Sequence, residues 1–478
     1  VRIAEPIETR GFFWIPNKPE EELPGLLRIS ETGRVTVELS GHFGDERAAF
    51  QNIGFTVEPP LGEDENPRSS RISGRVLDGG LLTLDVCDYW VQSLTGDGLS
   101  TSMIHPRYTF VGEEYGSDEA IEFTELSFEL EGLITWLWTT GISVEVSRDV
   151  DAGNIRGSVR LRQPEDISLT LSNGDEFKFR FGFPAPTSSP LVTEMTVKQT
   201  AWVHIQCVEP KPLSYFAALA NKFCNFLSLA LDENVSIQSL TGYSKLGTPE
   251  GREYRQAIRI YGMFAPWTDK APDFRRGRAL FRYPAVAEQI EKVIPHWFDS
   301  YDKFGPALGL YFASRTQDSV FLEAKILWLA QALETFHSRC SSETELPVGQ
   351  FQDRLNQINQ SDLDETTKTW LLNVLNNRPT LRKRIRRLVD PFKAYFGTQR
   401  ERRKFVNQAY DTRNYLTHYD ESTTESRAKT TDELFELHGR LEGLFQLQLL
   451  KLIGVDSSTI DSIVENSASL GRKLKGRR

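Results

Sequence analysis

Apolar and polar positions alternate through much of the first two hundred residues, as in Val35, Val37 and Leu39, or Leu126, Phe128 and Leu130, with Gly, Pro and Asp clusters between the runs. A period of two puts every second side chain on one face of a strand, so this region is expected to be β-rich, with a sandwich or jelly-roll-like fold. Its clearest unit is Ile167, Leu169 and Leu171, then Asn173-Gly174, then Phe177, Phe179, Phe181 and Phe183. The Asn-Gly pair suits the positive φ angles of a tight hairpin turn. The period changes over residues 213–231, where Phe216, Leu219, Ala220, Phe223, Leu227 and Ala230 recur at helical spacing, which predicts a helix packed on a sheet. Strand-like sequence returns at 235–240, and residues 248–284, rich in Gly, Pro and charge, offer few periodic cues.

From about residue 290 helical spacing takes over, with helices expected at 297–316 (interrupted by Pro306), 319–340, 364–377, 380–396, 401–419 and 431–453. A helical bundle is the natural architecture. The chain is thus expected to be an α+β multidomain protein: a β-rich region with a packed helix at 1–290, in one or two subdomains, an all-α bundle at 291–470, and a mobile basic tail at 471–478. No repeat of solenoid period is visible.

Length and composition agree with folded domains. At 478 residues the chain exceeds one core, and 39% hydrophobic with 26% charged residues lies far from the composition of disorder. No apolar run is long enough to cross a bilayer, and the opening Val1-Arg2-Ile3-Ala4-Glu5 lacks the order of a signal peptide, so a cytoplasmic address without a membrane partner is expected. Cys87, Cys207, Cys224 and Cys340 form no CxxC pair and have no histidine partner, which fits reduced, mostly buried thiols; no metal or cofactor is expected.

Charge separates the two parts. Residues 301–478 hold 27 Lys/Arg and 23 Asp/Glu, against 29 and 43 in residues 1–300. Nucleic-acid binding needs local positive charge, so such a function belongs in the C-terminal part. The stretch 382–404 concentrates it, with Arg382, Lys383, Arg384, Arg386, Arg387, Lys393, Arg400, Arg402, Arg403 and Lys404 against Asp390 and Glu401. A charge run is usually a solvated face, but Tyr395 and Phe396 lie within this one and suit base stacking, so RNA contact is expected, above all from Arg400, Arg402, Arg403 and Lys404.

That run leads into Arg413-Asn414-Tyr415-Leu416-Thr417-His418, on a segment whose Phe405, Val406, Ala409 and Leu416 mark an apolar helical face. On a helix Asn414 and His418 share a face, whereas Arg413 lies roughly 140° around from His418 and needs its long side chain to reach across. The string Arg-Asn-x3-His should arise by chance in such a chain about 2% of the time at average residue usage. The segment resembles the motif of the HEPN superfamily, an Arg followed four to six residues later by His, often with Asn directly after the Arg. Members often carry an acidic residue on an earlier helix, and Glu334 in Leu333-Glu334-Thr335-Phe336-His337 is the candidate. The β-rich region opening with Gly11-Phe12-Phe13-Trp14-Ile15-Pro16 and Leu23-Pro24-Gly25-Leu26-Leu27, followed by the bundle, resembles the ApeA family of bacterial antiphage proteins.

The resemblance implies a metal-independent endoribonuclease in which His418 serves as base or acid, Arg413 clamps the phosphate, and Asn414 orients the imidazole or substrate. Glu334 would orient Arg413 or select the tautomer of His418. One motif brings one histidine while the chemistry wants two, which implies a homodimer. It further implies a phage protein as trigger, sensed by the N-terminal region, and host RNA as target, with tRNA a candidate. Two readings of other classes stand beside it. One is a non-catalytic recognition protein whose bundle only dimerises, with Arg413 and His418 closing the bundle; the other is a glycan-binding sandwich built on exposed tryptophans, seven of the nine lying before residue 300. His42, His105, His204, His296, His337 and His438 show no ligand spacing.

Overall fold

The computed structural model of the chain describes residues 2–3, 5–43, 71–77, 80–93, 100–148, 155–184, 195–247, 253–264, 270–274, 278–316, 320–419 and 425–476. Two compact units result, Val1–Phe274 with Arg282–Pro284, and Arg275–Phe281 with Ala285–Arg478.

In the first unit β1 (Ile7–Trp14), β2 (Leu23–Ile29), β3 (Val35–Ser40), β4 (Ile72–Val76), β5 (Gly80–Ser93) and β6 (Thr101–Val111) pair in the ring β6-β3-β2-β1-β4-β5, closed by β5 on β6. The expected sandwich therefore takes the form of a six-stranded barrel, which leaves none of these strands as an open edge. Phe13, Leu27, Val37, Leu39, Leu82, Leu84 and Ile104 fill it. Gly11 faces Gly25 across the β1–β2 ladder, and a Cβ on Gly11 would stand 2.5 Å from the carbonyl oxygen of Arg75 on β4. Only glycine allows that approach.

β6 belongs to two systems. Residues 101–104 pair with β3, and residues 108–111 pair with β14 (Glu253–Gly262). From β14 the sheet continues through β13 (Ile237–Gly247), β7 (Glu122–Leu130), β12 (Thr200–Pro212) and β11 (Glu176–Gly182) to β10 (Ile167–Thr170). β14 lies in the stretch that offered few cues; Ile258 and Ile260 carry its buried face. The remaining strands, β8 (Ile142–Arg148) and β9 (Ile155–Leu161), form a separate ribbon that leaves Val144, Val146, Val159 and Leu161 exposed.

The β10–β11 hairpin forms where expected, but with a looser turn. Gly174 alone has positive φ, and the Asn173 side chain instead accepts from the Asp175 backbone N–H at 3.2 Å. The short helix α1 (Leu133–Leu137) and α2 (Leu213–Leu231) cover this sheet. Phe223 meets Phe177 at 5.1 Å and Phe179 at 5.5 Å between ring centroids, and Trp136 meets Phe226 at 5.5 Å. Every residue of α2 from Phe223 onward is buried, so packing rather than propensity holds this helix. Trp14, Trp136 and Trp297 are core, while Trp138 is exposed with the Arg282 guanidinium 4.1 Å from its ring.

The second unit comprises α3 (Ile290–Thr316), α4 (Leu322–Cys340), α5 (Val348–Asn359), α6 (Glu365–Val374), α7 (Leu381–Val389), α8 (Gln399–His418), α9 (Thr431–Leu452), α10 (Ser457–Asn466) and α11 (Ala468–Lys475). α9 is the core helix, buried without a break from Leu441 to Leu450. Phe445 stacks on Tyr311 of α3 at 4.8 Å and meets Phe336 of α4 at 5.7 Å. α3 runs through both Pro295 and Pro306 instead of breaking. Trp297, Phe304, Ala307, Leu308 and Tyr311 are all buried, and that tertiary packing outweighs the proline penalty.

The basic end is not a loose tail. Arg472, Lys473 and Lys475 belong to α11, whose Leu470 and Leu474 are buried, and Lys473 pairs with Glu442 at 3.1 Å; Arg477 and Arg478 lie outside the described residues. α5 and α6 are the opposite case, for neither has a buried residue. Their neck is clamped by Asn377, whose side chain donates to the Leu346 carbonyl at 2.9 Å and accepts from the Leu346 N–H at 2.8 Å. No helix of the described residues is long and apolar enough to cross a membrane.

Candidate active site

The site is assembled on α8. A capping box starts the helix: the Thr398 side chain accepts from the Glu401 N–H at 3.3 Å, and Glu401 accepts from the Thr398 N–H at 2.7 Å. Phe405, Val406, Ala409, Thr412 and Leu416 form its buried stripe, with Phe405 stacked on Phe396 at 5.4 Å. Arg413 and Asn414 flank the stripe half-buried, and His418, the last helical residue, is exposed.

Three of the four expected residues meet. The Arg413 guanidinium lies 3.9 Å from the Glu334 carboxylate of α4, the two side chains being 28% and 26% exposed. Arg413 Nη1 donates to Asn414 Oδ1 at 3.3 Å, so in this arrangement Asn414 orients the arginine rather than the imidazole. His418 is the last residue of the same helix and is exposed. Unlike a core ion pair, the Arg413–Glu334 contact is long and partly exposed.

A second set of contacts fixes this frame, and the sequence reading did not single it out. Arg384 of α7 is 6% exposed; it donates to the Pro379 carbonyl at 2.8 Å, to the Glu334 carbonyl at 3.2 Å and to the Ser338 hydroxyl. It therefore sets the position of the turn of α4 that carries Glu334. Directly before the motif, Asp411 is buried, paired with Arg382 at 3.2 Å, and accepts from the Ser426 N–H at 3.2 Å. The Thr412 hydroxyl accepts from the Ala428 N–H at 2.9 Å, and the Arg427 guanidinium sits 3.6 Å from the Tyr415 ring centroid. These contacts return the chain beyond His418 onto the helix that precedes it. Burial of Asp411 and Thr412 is not readable from the sequence, so no local signal pointed to them.

The basic run divides by role. Arg382 and Arg384 hold the frame, Lys383 pairs with Glu345, and Arg387 lies 3.3 Å from Glu343. Arg402 donates to the carbonyls of Gly397 and Lys393, which makes it a brace at the start of α8 rather than a free contact. Arg400, Arg403 and Lys404 are exposed. The stacking role expected of Phe396 is excluded by its burial against Phe405, and the Tyr395 hydroxyl donates to Asp461. Nearby, His337 is buried, and burial together with Arg384 lowers its pKa below the ordinary histidine value.

Two family models match the chain: ApeA N-terminal domain 1 over residues 8–297, and Apea-like HEPN over residues 327–459. A comparison with curated proteins gives no match. The first model alone covers more than half of the 478 residues, and Glu334, Arg384 and residues 413–418 all fall within the second. By these matches the chain belongs to the ApeA-like family of HEPN antiphage proteins.

Proposed function

We propose that the helical unit is a metal-independent endoribonuclease and that the β-rich unit restrains it until a phage protein is sensed. The observation that carries the reading is the group Arg413, Asn414 and Glu334, held in contact beside the exposed His418. In the reaction a base removes the proton of the ribose 2′-OH, O2′ attacks the adjacent phosphorus, the P–O5′ bond breaks, and an acid protonates O5′. A 2′,3′-cyclic phosphate and a 5′-hydroxyl end result. An imidazole can both take and give a proton, which suits either role. Arg413 stabilises the charge that builds on the equatorial oxygens, and Asn414 and Glu334 hold its fork in position. Arg400, Arg403 and Lys404 supply exposed charge for the RNA backbone.

One histidine per chain suits a homodimer in which two copies of His418 share one cleft as acid and base. Attack by the 2′-OH means that DNA is spared. Host RNA, with tRNA as a candidate, is the target, and growth arrest is the outcome. The test is total RNA integrity and cell growth after expression of wild type, Arg413→Ala and His418→Ala at matched levels, with and without phage. Cleavage and protection lost in both variants support the reading. Protection that survives in both moves the function to the β-rich unit.

A further inference from the structure

The residue after His418 is Tyr419, and it closes α8 in the left-handed region with φ of 53°, its N–H donating to the Tyr415 carbonyl at 2.6 Å. Glycine or asparagine normally fills such a cap, because a Cβ there crowds the backbone. A bulky residue in that conformation is strained, and strain of this kind gathers at functional positions. Packing does not account for the choice, since Tyr419 is 70% exposed. Its only ring neighbour among the described residues is Tyr415, at 5.5 Å and 65°.

The ring that Tyr419 meets is itself anchored. Tyr415 lies under Arg427, whose segment is tied to Asp411 and Thr412 through the Ser426 and Ala428 N–H groups. An exposed aromatic ring, next in the chain to the candidate proton-transfer residue, offers a flat π surface to an unpaired base. The neighbours Thr417 and His418 are polar and exposed.

We propose that Tyr419 is a positioning residue that stacks on a nucleobase adjoining the scissile phosphate, so that single-stranded RNA is held with its 2′-OH in line. The proposal rests on the nuclease reading above. It is tested with short single-stranded RNAs carrying 2-aminopurine at successive positions, bound to full-length His418→Ala so that cleavage does not intervene. The expected result is quenching at one position. Adding Tyr419→Gly should abolish that quenching and weaken binding by roughly 5- to 100-fold, as for the loss of one base–aromatic stack, while Tyr419→Phe retains both. Because glycine relieves the cap, Tyr419→Gly should melt at an equal or higher temperature, so lost binding is not lost folding.

Quenching and affinity indifferent to Tyr419, in a protein that still cleaves RNA, overturn this inference alone. A shift in oligomeric mass in Tyr419→Gly and Tyr419→Ala overturns it in favour of contact with a second copy. Absence of both RNA binding in His418→Ala and RNA cleavage by wild type removes the nuclease reading and this inference with it.

Discussion

Arg384 and Arg413 both engage Glu334, and their surroundings separate a buried strut from a half-exposed side chain. Arg384 is buried, reaches the Glu334 backbone carbonyl, and donates to two further fixed partners. Arg413 is half-exposed, reaches the Glu334 carboxylate at 3.9 Å, and is otherwise steadied by Asn414. Charge of the same kind, on two helices packed against α4, is thus fully engaged in one case and left available in the other. The same division runs through the basic stretch, where Arg402 braces carbonyls while Arg400, Arg403 and Lys404 face solvent. Density of arginine in a sequence does not report which role each one has; its partners do.

The largest effect should come from the available side. His418→Ala and Arg413→Ala are each expected to lower the RNA cleavage rate by about 10²- to 10⁴-fold, with melting temperatures close to wild type. A comparable fall in melting temperature would make Arg413 a strut as well. Arg384→Ala should do the reverse, destabilising the helical unit by about 3 kcal/mol in denaturant unfolding followed by helical circular dichroism, because three partners lose a charged donor. If it folds as well as wild type, the contrast between the two arginines fails.

Glu334→Gln sharpens the comparison, since it keeps the backbone carbonyl that Arg384 uses and removes the charge that Arg413 faces. Cleavage is expected to fall about 10-fold, and stability to change by less than about 1 kcal/mol, as for a part-exposed pair.

The smallest effect concerns pH. Burial lowers the pKa of His337, with Arg384 adding to it, and burial lowers that of His438, opposed by Glu442 and aided by Lys473, Lys325 and Arg315. Below about pH 6.5 the unfolded chain binds protons that the folded chain refuses, so stability should decline as pH falls through that value. The melting temperature should be lower at pH 5.5 than at 7.5, and His438→Gln should reduce the difference.

Much of the fold was legible where one local pattern had one solution. The apolar spacing of 213–231 predicted α2 end to end, and the motif segment 401–419 lies within two residues of α8. Barrel closure was not legible, because the β1–β4 and β3–β6 registers are long-range and no local period encodes them. The interruption at Pro306 was misjudged because a buried face overrode it, and α5 was missed although Phe351, Leu355 and Ile358 keep helical spacing. In the site, the residue types and their spacing were readable along one helix. Arg384, Thr412 and Tyr419 were not, since burial and φ arise only when α4, α7 and α8 come together.

The clamped neck at Asn377 has a consequence for how the helical unit opens. Beyond it neither α5 nor α6 has a fully buried residue, so their amides should exchange with solvent through local unfolding long before those of α9, and a protease should nick the helical unit between residues 348 and 374 before it cuts within α9. With Glu345, Leu346 and Asn377 still joined, such a nick leaves both edges of the cut attached to the bundle, and the frame that carries Glu334 and Arg413 outlasts the loss of its least stable part.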